Sequence, residues 1–142
     1  MAVVVYYWPG VPGHVSIAVD GGSPPGMMYL SRWPKAWDTA VMLACEGVGQ
    51  TMEEDIKAEG AYPLWVRFTT LNETKVKTAI NMANKAMFYQ DIVGNCAIHV
   101  KACLGAGLPT AEMFASAFVP AVMNATPWGV YRYALDLKKT HL

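Results

Sequence analysis

The chain opens on MAVVVYYW, an unbroken apolar run that Pro9-Gly10 brings to an end, and this predicts a first β-strand. Residues 13–20, GHVSIAVD, are rich in β-branched residues. The stretch GGSPPG at 21–26 is dense turn punctuation, and MMYLSRWP follows until Pro34 stops it. Together they predict an antiparallel hairpin whose loop is a little longer than the tightest turns. A loop centred near Ser23 sets His14 across from about Ser31. The two-residue period of a strand then lines up His14, Ser16 and Ala18 with Met27, Tyr29 and Ser31 on one face. A slip of one residue would reverse that face.

Between 35 and 60 the pattern is weak. TMEEDIKAEG predicts a short acidic helix or loop, most simply a solvated face. YPLWVRFTTL at 62–71 predicts a strand. A strong helix follows in LNETKVKTAINMANKAMFYQ: Asn72 is suited to cap it, and Glu73 favours the positive end of its dipole. Val76, Ile80, Ala83 and Met87 then recur at helical spacing. YQDIVGN reads as a connector. CAIHVKACLGAG, from Cys96, places Cys96, Val100, Cys103 and Leu104 at helical spacing, with Gly105 and Gly107 as stop signals. A further helix is predicted to start near Thr110, and TPWGVYRYALDLKK is a last element, helix or strand, with Lys138 and Lys139 at its end. The expected fold class is therefore α+β. A small antiparallel sheet packs against helices, one of which carries Cys96 at its N-terminus, in a single domain over 1–142.

Composition sharpens this picture in three ways. Hydrophobic residues make up 54% of the 142 and charged residues 15%, enough to bury a substantial core or to leave an apolar surface for a partner. Eleven basic residues balance eleven acidic ones, and no basic stripe appears, which argues against nucleic acid as the main partner. No apolar segment approaches the ~20 residues that span a bilayer, so no transmembrane segment is expected. The apolar start lacks the basic region and small-residue cleavage site of a signal peptide. Three cysteines without framework spacing do not suggest a disulfide scaffold.

Candidate chemistry centres on GNCAIHV at 94–100. Metal binding would need more ligands than Cys96 and His99. His14, Cys45, Cys103 and His141 do not form a second close pair, so no metal or cofactor is expected. A buried thiol suits Cys45 and Cys103, the latter two helical turns along from Cys96 between Ala102 and Leu104. Cys96 differs because it opens a helix after Gly94-Asn95. There the free amides and the dipole lower a thiol pKa and can hold an oxyanion. Its base must lie within reach in space. His141 is close to the chain end and His99 is directed along the same helix, which leaves His14. Packing by satisfied core residues remains the plain alternative for both His14 and His99.

The order of these motifs, with His14 in GHVSIAV, then YLSRWP, then an Asn-Cys pair opening an apolar helix 82 residues on, resembles the circularly permuted papain-like superfamily. That superfamily includes NlpC-type peptidases and lecithin:retinol acyltransferase-like enzymes. The likeness runs over 13–107 and is nearest to bacterial secreted effector and toxin domains, including Rho-inactivation-type acyltransferase domains. The resemblance implies Cys96 as nucleophile and His14 as general base. Ser31 stands where relatives carry a third polar residue to orient the ring; Tyr29 and Asn95 stand where substrate would bind. Several relatives have a histidine or carboxylate at the position of Ser31, and Asp20, at the strand end, is the only carboxylate expected near the hairpin. The implied function is cysteine-dependent acyl transfer, as an amidase or peptidase-type hydrolase or as an acyltransferase. Its substrate would be a peptide, peptidoglycan or acyl lipid, acted on by an effector toxin delivered to a target cell without a cleaved signal peptide and paired with a cognate immunity protein. The competing expectation is a catalytically silent interaction module on the same fold, binding a partner through Trp8, Trp33, Trp37 and Tyr29.

Overall fold

A computed structural model of the protein describes residues 2–10, 13–20, 28–34, 47–49, 51–85, 96–109 and 126–140. Among these the chain is α+β, with four helices and a four-stranded antiparallel sheet. Strands β1 (Ala2–Trp8), β2 (His14–Asp20) and β3 (Met28–Leu30) come first, followed by a short β4 (Arg32–Pro34) that pairs with β5 (Gly47–Gly49). Helix α1 (Met52–Glu59), strand β6 (Leu64–Phe68), and helices α2 (Glu73–Asn84), α3 (Cys96–Ala106) and α4 (Pro127–Thr140) complete the described elements. The main sheet runs in the order β3-β2-β1-β6. None of the described helices is long and apolar enough to cross a membrane.

The predicted first strand, the hairpin, the strand at 62–71 and the helix capped by Asn72 are all present. The last element is a helix. The helix expected near Thr110, together with Met27, Trp37, Cys45, Met87, Asn95 and His141, lies outside the described residues. The hairpin register differs from expectation by two residues. Ile17 pairs with Leu30 and Ala18 with Tyr29, so continuing the ladder would set Ser31 across from Ser16 rather than His14. A two-residue shift preserves side-chain parity, so the predicted face survives. Beyond Ser31 the chain leaves β2, and 32–34 pair with β5 instead.

The two faces of the sheet are covered differently. Val3, Val5 and Tyr7 of β1 sit across from Val19, Ile17 and Val15 of β2 and from Phe68, Val66 and Leu64 of β6. On this face all of them but the exposed Leu64 join Val76 and Ile80 of α2, Ala97, Val100, Cys103 and Leu104 of α3, and Val130, Tyr131 and Ala134 of α4 in one apolar core. The other face carries Val4, Trp8, His14, Ser16 and Ala18, which are also buried. That double burial explains why MAVVVYYW reads as a continuous apolar run rather than an alternating one.

Helix direction follows from one contact. Asn72 N–H donates to the Gly107 carbonyl at 2.9 Å, which ties the C-terminal end of α3 to the end of the sheet where β6 leaves and β2 finishes. An eleven-residue helix is about 16 Å long and a seven-residue strand about 23 Å. With α3 packed along β2 and reaching β4, Cys96 lies toward the His14 end of the sheet. Gly105 does not stop the helix but lies within its last turn. Gly107 follows the helix end for a packing reason: a Cβ there would stand 2.7 Å from Val76 Cγ2 and 3.2 Å from Leu71 Cβ.

Candidate functional site

The polar face of the hairpin holds a connected set of hydrogen-bonding side chains. His14 begins β2 beside Trp8, its ring centroid 5.4 Å from the indole, and Trp8 Nε1 donates to the Ala61 carbonyl at 2.9 Å. His14 Nε2 lies 2.8 Å from Ser31 Oγ and 3.4 Å from Asp55 Oδ2. Tyr29 OH donates to Asp55 Oδ2 and lies 2.8 Å from Ser16 Oγ, which can donate to it in turn. His14, Ser16, Ser31 and Asp55 are each no more than 2% exposed.

Asp55 corrects two expectations. The acidic segment around it is not simply a solvated face, and Asp20 is not the only carboxylate near the hairpin. Asp20 stands at the far end of β2, beside Ala2. Thr51 caps α1 in a reciprocal capping box with Glu54, Glu53 and Glu54 remain exposed in its first turn, and Gly60 closes it at φ 70°. The helix thus keeps its acidic outer face while Asp55 alone among its carboxylates is fully buried. The caps were legible in TMEEDIKAEG. No periodicity signal could have marked Asp55, because the residue that docks this helix is itself charged.

Burial pushes the Asp55 carboxyl upward, but hydrogen bonds from His14, Ser31 and Tyr29, with the positive character of the imidazole, outweigh it and hold the group below its ordinary value. Tyr29 is driven strongly the other way, by burial first and then by the neighbouring carboxylate, so it stays a phenol. An ionised Asp55 selects the imidazole tautomer with hydrogen on Nε2. Ser31 can accept from that N–H and donate its own proton to Asp55. In the neutral ring Nδ1 then carries the basic lone pair.

Cys96 is the first residue of α3, as the sequence predicts, and the first turn of that helix contains no acidic residue. His99 is half-buried within the same turn. Cys103 is buried in the core, and burial pushes its thiol up to about 12, as befits a packing residue. The helix start and His14 therefore share one end of the sheet. Their elements do not share a face: α3 packs on the apolar side, while the His14 ring belongs to the side covered by Asp55. Tyr29 stands beside His14 as expected, though as a partner of Asp55. Trp8 is 1% exposed and is not a surface contact, whereas Trp65 and Trp128 are exposed.

Among the described residues no three His, Cys, Asp or Glu side chains converge as a metal site. No family model matches the chain, and neither a curated protein nor a solved structure matches it significantly.

Proposed function

We propose that the protein is a cysteine-dependent acyl-transfer enzyme of permuted papain-like type, with Cys96 as nucleophile and His14 as base. The observation that carries this reading is the His14–Ser31–Asp55 set, at the end of the sheet where α3 begins. Asp55 supplies what Ser31 alone lacks, a negative charge able to stabilise an imidazolium, and so takes the orienting role with Ser31 as the bridge. In the reaction Nδ1 of His14 takes the thiol proton and Cys96 Sγ attacks a carbonyl. The oxyanion is held by amides at the start of α3, and the proton passes to the leaving group as the thioester forms. Water as second nucleophile completes hydrolysis of a peptide or of peptidoglycan; an amine completes acyl transfer. The resemblance to secreted effectors suggests delivery to a target cell and a cognate immunity protein.

A second reading rests on the burial of His14 and on its lying across the sheet from α3. A sealed polar network can serve only to fix α1 on the sheet, in a module without chemistry.

Iodoacetamide labelling read by mass spectrometry separates the two. Enzyme chemistry predicts modification of Cys96 below pH 7 with Cys103 untouched, and loss of that selectivity in His14→Gln. It also predicts that Cys96→Ala and His14→Gln, each checked for folding by circular dichroism, abolish the growth defect caused by expression. Periplasm-only toxicity would point to peptidoglycan, cytosolic toxicity to a protein or lipid target. Full toxicity in both variants sinks the enzyme reading.

A further inference from the structure

Strand β6 is the last strand of the main sheet, and among the described residues nothing pairs with its outer edge. A cavity of about 290 Å³ lies against it, lined by Trp65, Val66, Arg67, Thr69 and Lys138. The origin of these residues gives its orientation. Trp65 and Arg67 stand across from Tyr6 and Val4 and so point to the polar-network side of the sheet. Lys138 comes from α4 on the apolar side, its Nζ 5.9 Å above the Phe68 ring. Val66 lies between them. A groove walled from both faces around one strand runs along that strand's open edge.

The groove also has a charge. Among the described residues it is lined by two cations and no acidic side chain, and neither Arg67 nor Lys138 belongs to an ion pair. Trp65 is 62% exposed at the same edge, next to Leu64 at 52%. Blunting of the edge by charge would explain the cations but not the adjacent exposed indole.

We propose that this edge binds an extended acidic segment of a partner protein by strand addition. Main-chain hydrogen bonds to β6 would supply the pairing, carboxylates would meet Arg67 and Lys138 on the two sides, and an apolar side chain would cover Trp65. Five residues of β6 match a partner segment of similar length.

The test uses the full chain and a fluorescein-labelled heptapeptide, Val-Thr-Val-Asp-Asp-Thr-Val, whose adjacent aspartates project to opposite sides while a valine shares a side with one of them, and a control with lysine in place of both aspartates. Binding to the acidic peptide alone is expected, weakening at least tenfold when 0.5 M salt is added or when Arg67→Glu is introduced at its exposed position. Alternate N-methylation of the peptide backbone should abolish binding, because it removes the ladder donors. No binding at 1 mM peptide overturns the proposal, as does equal binding of the lysine control or of the N-methylated peptide. Sedimentation showing a dimer that Arg67→Glu dissociates would also overturn it, assigning the edge to a second copy of the chain.

Discussion

The two faces of the main sheet are both buried, yet they are built on opposite principles. One is covered by α2, α3 and α4 through apolar side chains alone, among them Val5, Ile17, Phe68, Ile80 and Leu104. The other joins α1 to the hairpin through His14, Ser31, Tyr29, Ser16 and Asp55. Apolar contacts are non-directional and tolerate changes that conserve volume. A buried polar network favours a single arrangement, since each lost partner leaves another group unsatisfied. The base proposed for this protein and its orienting partners sit on the second kind of surface, where geometry rather than volume is specified.

Truncation on the apolar side should give the largest loss. Phe68→Ala removes a fully buried ring and is expected to cost about 3–5 kcal/mol, read as a lower midpoint in urea unfolding. On the polar side, Asp55→Ala should cost about 2–3 kcal/mol by stranding Tyr29 and His14, and Asp55→Asn clearly less. If alanine and asparagine are equally mild, the polar face is not a specified network and the contrast between the faces breaks. Gly107→Ala should follow at about 1–2 kcal/mol, because the new methyl meets Val76 at 2.7 Å and forces α2 and α3 apart.

The subtlest difference is in pH dependence. Asp55 is held below its ordinary value of 3.8 in the folded state. Its ionised form therefore stabilises the fold in full above 3.8, and that contribution fades as pH falls through the depressed folded value. Unfolding curves of the wild type and Asp55→Asn should differ clearly at pH 5 and converge toward pH 2. A gap that persists unchanged at pH 2 would assign the effect of Asp55 to shape rather than charge.

Much of this was legible in the chain, for particular reasons. The Asn72 cap and the spacing of Val76 and Ile80 specify α2 locally, and the side chain of Asn72 does accept from Lys75 N–H. Parity alone placed Ser16, Tyr29 and Ser31 on the face of His14, even though the register was two residues off. Parity repeats every two residues, whereas register depends on the geometry of the connecting loop. Trp8 illustrates the opposite case. Its composition suggested a surface contact, but the strand carrying it became an inner strand with both sides covered.

By itself the sequence determined several local elements: the first strand, the hairpin and its side-chain parity, the helix capped by Asn72, and that Cys96 opens a helix while Cys103 packs. Tertiary structure decided which distant groups meet. Forty-one residues separate His14 from Asp55, and the segment holding Asp55 reads as solvated because its capping signals and charges are those of any exposed helix. Only docking against the hairpin, which excludes water from that carboxylate and supplies hydrogen-bond donors in its place, made it part of the site.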